Sequence, residues 1–325
     1  MANYVRILQA VTATPWAILP AKLAVIRDLL AYRAAGGNLS DDEIKARLDA
    51  AASPTPRGTS GGSVAVLPLV GTIIPRADLL TESSGGISVQ RFTRMFREAM
   101  ANNEVGTVVI DVDSPGGQVG GVDELATEIY KARGQGKRIV AVANQLAASA
   151  AYWVASAADE LVVTPSGEVG SIGVFAMHQD LTAYMEREGV KVELISAGKY
   201  KTEGNPYEAL TEEARGAIQS RVDEYYEMFV SAVARNRGVM RSAVRGGFGE
   251  GRTVGAAEAV SLGMADRVAT LDETIDRHMG GRRRTGGRSA SGDLSIRQRR
   301  LRLAQAGSGS VETGDALINV NKEIA

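Results

Sequence analysis

Ser149 lies in a run of small residues, Ala147-Ala148-Ser149-Ala150-Ala151, directly before Tyr152, Trp153 and Val154. At a strand-to-helix turn, small neighbours let a substrate backbone reach the hydroxyl, and the first helical amides offer positive potential to a developing oxyanion. The same placement also suits a serine that only caps or packs in an alanine-rich helix. A serine hydroxyl is a poor nucleophile at neutral pH and needs a base. A lysine serves when desolvation or nearby positive charge lowers its pKa. Lys201 follows the Gly198 turn and a run that reads as a buried strand, Lys191 to Ile195, with Lys199 two residues earlier as its rival. Taken singly, either lysine reads as a solvated surface charge.

Two glycine-bearing turns accompany these residues. Asp113-Ser114-Pro115-Gly116-Gly117 follows an apolar run, and paired glycines after a proline permit a turn that aims N–H groups at a bound carbonyl. An ordinary type II turn at a strand end has the same composition. Gly170-Ser171-Ile172-Gly173-Val174 is the second turn, where Ser171 either helps orient a lysine and hold substrate backbone or simply packs. His178, one of two histidines, is a rival base 29 residues after Ser149, while His278 adjoins the tail. Asp111, Asp113, Asp123 and Glu124 are explained by strand-end and helix-start positions, so no metal site is expected. No Gly-Lys-Ser/Thr follows the glycines, which removes a P-loop reading.

With 325 residues, 44% of them apolar, the chain can bury one α/β core and still carry appendages. A formal net charge of −1 gives no electrostatic sign of a dedicated nucleic-acid binder, outside a basic C-terminal tail. The absence of cysteine removes thiol nucleophiles, disulfides and Cys-ligated metals. The start of the chain, through Tyr32, is interrupted by Arg6, Pro15, Pro20, Lys22, Arg27 and Asp28, so it lacks the ~20 apolar residues of a membrane span. It also lacks the basic cluster and apolar block of a signal peptide. A cytoplasmic protein is the expectation.

The elements that hold these residues follow from periodicity. Val64 to Val70, Thr107 to Val112, Arg138 to Ala143, Leu161 to Thr164 and Lys191 to Ile195 read as strands, and Val122 to Arg133 and Thr211 to Arg237 as helices. Ile218, Val222, Tyr225, Phe229 and Val233 mark one apolar face of the second helix. Apolar strands alternating with helices predict an α/β fold with mostly parallel sheets and right-handed crossovers, flanked by helices. Helices over Ala21 to Tyr32 and Asp41 to Ala51 read as lying outside the core, which is expected to begin near Ser63 after the linker Ser53 to Gly62. The organisation is therefore an N-terminal helical extension and linker over 1–62, a catalytic domain over 63–275, and a flexible Arg/Gly-rich tail over 276–325 with eight arginines between positions 282 and 302. In that tail Ala304-Gln305-Ala306 has small residues two apart, a pattern an extended-peptide site accepts, so self-trimming near Ala306 is expected.

Five motifs run in one order: DSPGG at Asp113 to Gly117, AASAAYW at Ala147 to Trp153, GSIGV at Gly170 to Val174, AGKYK at Ala197 to Lys201, and GRTVGAAEAVSLGMAD at Gly251 to Asp266. That order resembles the signal peptide peptidase A family of serine peptidases, from about Val64 to Val268. The resemblance implies a ClpP/crotonase-like fold and a Ser/Lys dyad with Ser149 as nucleophile. It implies Lys201 as base, because the family pattern of Gly, two variable residues and Lys falls on Gly198 to Lys201. Gly116 and Gly117 become oxyanion donors, with Ala150 and Ser171 beside them in oxyanion and substrate binding. No cofactor or metal is implied. Single-domain members form homo-oligomeric rings in which a Ser meets a neighbour's Lys. Lacking an export signal or anchor, the chain is most like a bacteriophage head-maturation protease acting on scaffold, portal or capsid proteins, in host cytoplasm or prohead. The alternatives are a cytosolic protein-degrading peptidase of the same family, a silent capsid-interaction protein, and a crotonase-like acyl-CoA enzyme.

Overall fold

A computed structural model describes residues 14–34, 63–76 and 86–279. The expected helix Asp41 to Ala51, the linker Ser53 to Gly62, the arginine-rich tail and the Ala304 to Ala306 segment lie outside the described residues. In chain order the elements used below are β1 (Trp16–Ile18), α1 (Pro20–Ala34), β2 (Ser63–Val70), β3 (Ile73–Ile74), β4 (Ile87–Ser88), α2 (Val89–Ala101), β5 (Val105–Ser114), β6 (Gly116–Gln118), α3 (Val122–Ala132), β7 (Arg138–Ala148), α4 (Ala150–Ala155), β8 (Glu160–Val163), β9 (Glu168–Gly170), α5 (Glu212–Arg237), β10 (Thr253–Gly255), β11 (Arg267–Val268) and α6 (Leu271–His278).

In the larger sheet, β2, β5, β7 and β8 run parallel, and β11 joins β8 in parallel. Strand β7 outlasts β8: its first half pairs with β8 and its last three residues, Leu146 to Ala148, pair with β9. Only β10, on β9, is antiparallel in this sheet. The sheet is buried on both faces, as parallel sheets are. Val108, Ile110 and Val112 of β5 join a core with Phe92 and Phe96 of α2 and Leu125 and Ile129 of α3. Val109 faces the other way, with Val64, Val140, Val142 and Val162 and with Leu271 of α6 against them. The helices start where the chain supplies caps: Ser88 Oγ accepts from Arg91 N, Thr211 Oγ1 from Ala214 N, and Thr270 forms a reciprocal capping box with Glu273.

A second, smaller sheet has the order β1-β6-β3-β4. It corrects the expectation that the core begins near Ser63, because Trp16, Ala17 and Ile18 are buried and paired with β6. A second correction concerns Lys191 to Ile195, which is irregular, exposed and without a ladder partner rather than a buried strand. Among the described residues no strand pairs with it. Among the described residues no helix is long and apolar enough to cross a membrane.

Candidate active site

Strand β7 ends at Ala148 and α4 begins at Ala150, so Ser149 is the single residue between a central strand and a buried helix. Its backbone has φ 56° and ψ −121°, a conformation that L-residues adopt at a cost of about 1–3 kcal/mol unless the surroundings over-determine it. The surroundings do so. Ser149 N donates to Gly170 O at 2.7 Å, fixing the turn to the end of β9. All six side chains of α4 are buried; Trp153 stacks on Phe229 of α5 with centroids 4.5 Å apart, and the Tyr152 hydroxyl donates to Met264 O at 2.9 Å. At the far end, the Arg133 guanidinium donates to the carbonyls of Ser156 and Ala157 at 3.1 and 2.8 Å, and to Ala158 as well, so one side chain caps the helix that carries the serine. The hydroxyl itself caps nothing, although Ser149 stands at the N-cap position. It faces Gly173 O at a long 3.4 Å, which leaves its proton weakly held.

The paired glycines are demanded by close backbone approach. A Cβ on Gly117 would lie 1.8 Å from Ile73 O of β3, and one on Gly116, whose φ is 97°, would lie 2.2 Å from Ala17 O and 2.9 Å from Ser149 Cβ. Gly116 is thus directly beside the serine. Its N–H donates to Ser114 Oγ at 3.2 Å, and that hydroxyl donates to Gly71 O at 2.6 Å. Ser171 also has a positive φ, 53°, and is held through Ser171 N to Arg252 O at 2.8 Å. Of the three non-glycine residues with positive φ among the described residues, two are therefore Ser149 and Ser171. Backbone strain gathers where the two turns meet.

The other predicted residues are not brought to the serine. Lys201 is exposed and lines a cavity of about 670 Å³ with Pro15, Ala176 and His178, and no hydrogen bond among the described residues joins it to Ser149. Lys199 hydrogen-bonds the Tyr200 hydroxyl at 2.7 Å and the Glu213 carboxylate at 2.9 Å, and the two together raise its pKa, the wrong direction for a base. His178 lines the Lys201 cavity with its Nε2 buried and unpartnered. His278 is 3.7 Å from Glu160, in the arginine-rich cluster at α6. Burial pushes the Asp111 carboxyl up, against a hydrogen bond from Asn144. Among the described residues no three His, Cys, Asp or Glu side chains converge on a metal position.

Two contributions were missed from sequence. Arg133 looks like an ordinary helix-end cation until the carbonyls it caps are seen. Strand β1 is three apolar residues between Pro15 and Pro20, too short for periodicity to register.

Residues 131–283 match Peptidase family S49, a span that contains Ser149, Ser171, Lys199 and Lys201 and stops short of Gly116 and Gly117. The chain is 35% identical over 212 residues to the head-tail preconnector protein GP5 of Enterobacteria phage P21, covering 65% of this chain and 42% of that protein. It is 33% identical over 212 residues to capsid assembly protease C of Escherichia phage lambda, covering 65% of this chain and 48% of that protein. The chain thus spans less than half the length of these curated relatives. Among solved structures, a ClpP1 mutant from Listeria monocytogenes aligns with a TM-score of 0.39 at 14% identity, over 65% of this chain and 94% of that one.

Proposed function

The chain carries a Peptidase family S49 domain, and on that premise we propose that it is a serine endopeptidase with Ser149 as nucleophile and Lys201 as general base. The observation that carries the reading is Ser149 itself: a strained, helix-entry serine with a hydroxyl that caps nothing, set against a strand whose first two positions leave no room for a Cβ. In the reaction, neutral Lys201 Nζ takes the Ser149 proton while Oγ attacks the peptide carbonyl carbon. The negative charge on the carbonyl oxygen is met by backbone N–H groups of Gly117 and Ala150, joined by that of Gly116 as it leaves Ser114 Oγ, and Ser171 helps hold the substrate backbone. Collapse of the tetrahedral intermediate expels the amine, which takes the proton back from Lys201. Water, deprotonated by the same lysine, then releases the acyl group from Ser149.

A lysine in bulk water keeps its proton, so as a base Lys201 needs a dry setting, and among the described residues it is exposed. We assign that setting to a second copy in a closed homo-oligomer. Support comes from the apolar side chains of Val190, Val192, Leu194 and Ile195, which lead up to the lysine and are exposed among the described residues. The two phage relatives, named for a head-tail preconnector and for capsid assembly, support substrates among scaffold or portal-associated proteins of an assembling phage head, with the enzyme in host cytoplasm or prohead.

The test is direct. A fluorophosphonate should label Ser149 in the wild type and nothing in Ser149→Ala. Lys201→Ala should lower peptide turnover by about a thousandfold or more, while Lys199→Ala and His178→Ala keep most of it. Loss in His178→Ala with retention in Lys201→Ala would overturn the assignment.

A further inference from the structure

Ser149 is only 1% exposed, so in this conformation no substrate reaches it. Strand β1 runs close beside it, with Ala17 O and Ser149 Cβ both within 3 Å of the point where a Gly116 Cβ would stand. We propose that β1 is the chain's own occupant of the peptide track beside Ser149, an intramolecular inhibitor that substrate has to displace; this rests on the peptidase reading above.

Three observations converge. First, β1 is paired on both edges, as a bound peptide strand would be. It runs antiparallel to β6, with Trp16, Ala17 and Ile18 opposite Gln118, Gly117 and Gly116. Along its other edge Trp16 N donates to Phe175 O at 2.8 Å and Phe175 N to Trp16 O at 3.0 Å. Second, the register sets a carbonyl close to Ser149. Leu19 N donates to Pro115 O at 2.9 Å, and because bonded pairs alternate along an antiparallel ladder, Ala17 and Gly117, two residues on, are the next bonded pair. The Gly117 amide therefore faces the Ala17 carbonyl. A single point, where a Gly116 Cβ would stand, is 2.2 Å from that oxygen and 2.9 Å from Ser149 Cβ. Third, the strand is built to be held briefly. Trp16 and Ile18 are buried anchors around the small Ala17, yet Pro15 and Pro20 have no N–H with which to lengthen the ladder at either end. The chain thus presents a carbonyl of its own to Ser149 without the base beside it, which accounts for an occupant that is bound rather than cut.

Two measurements test this. Ala17→Pro removes the N–H that faces Gly117 and should open the track. In protein that stays folded by circular dichroism, fluorophosphonate labelling of Ser149 should accelerate by about tenfold or more, since a tethered segment competes at millimolar effective concentration. A synthetic peptide of residues 14–20 should slow it again. Equal labelling rates in wild type and folded Ala17→Pro would overturn the proposal and make β1 a permanent edge strand. The second measurement needs no disruption of β1. The chain has two tryptophans, so Trp153→Phe leaves Trp16 as the only one. Saturating this variant with the 14–20 peptide carrying W16F should shift Trp16 emission to the red as β1 leaves its buried site. An unmoved spectrum counts against the proposal even where Ser149 labels in neither protein, the result that would sink the peptidase reading instead.

Discussion

Every side chain of α4 is buried and its carbonyl end is tied to Arg133, whereas every residue from Glu186 to Lys201 is exposed. The two regions lie in one chain and, on the proposed mechanism, serve one reaction, but among the described residues only the first is packed. Ser149 needs a fixed, strained backbone, and a strand, a helix and a caught carbonyl supply it locally. As the proposed base, Lys201 needs removal from water, and among the described residues its own segment offers only exposed apolar side chains. The difference teaches that intrachain packing alone can fix the backbone of Ser149, while the proposed base Lys201 depends on what covers it.

Substitutions on the two sides should therefore separate stability from assembly. Trp153→Ala removes the ring stacked on Phe229 and should cost about 3–5 kcal/mol, seen as a large drop in thermal midpoint. Ile195→Ser, at a side chain 93% exposed, should leave the stability of the isolated chain within about 0.5 kcal/mol. Its effect should appear in light scattering, as a shift from oligomer toward monomer, with activity falling in parallel. An Ile195→Ser protein that unfolds early but assembles normally would erase the distinction.

The same contrast governs what was legible in the sequence. Strands β2, β5, β7 and β8 and helices α3 and α5 were readable because each carries an apolar pattern long enough to reveal its period, whereas small residues at a strand-to-helix junction suit a capping serine as well, and Ser149 stood out only through the order of the five motifs. Lys191 to Ile195 has a strand's composition, but a strand also needs a neighbour, and none of the described elements pairs with it. Strand β6 holds two glycines with no strand preference of their own; it forms because backbones pass within contact distance of it on both β1 and β3. Strand β1 was illegible for the opposite reason. Its role is set by where it pairs, and three residues between prolines carry no periodic signal.

A smaller effect is expected from the charged cluster on the packed side. Burial pushes the Glu160 carboxyl up, but the hydrogen bond and charge of Arg267, with Arg277 and His278, outweigh it and hold its pKa below the ordinary carboxylate range. Burial holds His278 below the usual histidine value, against the pull of Glu160. Both groups bind fewer protons folded than unfolded, so both contribute stability that is complete above their ordinary values, about 6.5 for histidine and 4.3 for glutamate, and is lost as pH falls through the folded ones. The thermal midpoint should fall on acidification from neutral pH. Glu160→Gln should lower it at neutral pH and flatten the part of the decline below about pH 4.5. An unchanged acid limb in Glu160→Gln would remove that carboxylate from the account.

The most direct test of the central claim, that nucleophile and base come from different copies of the chain, is to mix two inactive proteins. Ser149→Ala retains the base and Lys201→Ala retains the nucleophile, so after subunits are dissociated and reassembled together a fraction of sites should pair an intact serine with an intact lysine. The account predicts that peptide turnover, absent in either protein alone, returns in the mixture and co-elutes with the oligomer. No recovery from properly reassembled mixtures, together with full wild-type activity in a species that light scattering shows to be a monomer, would contradict it.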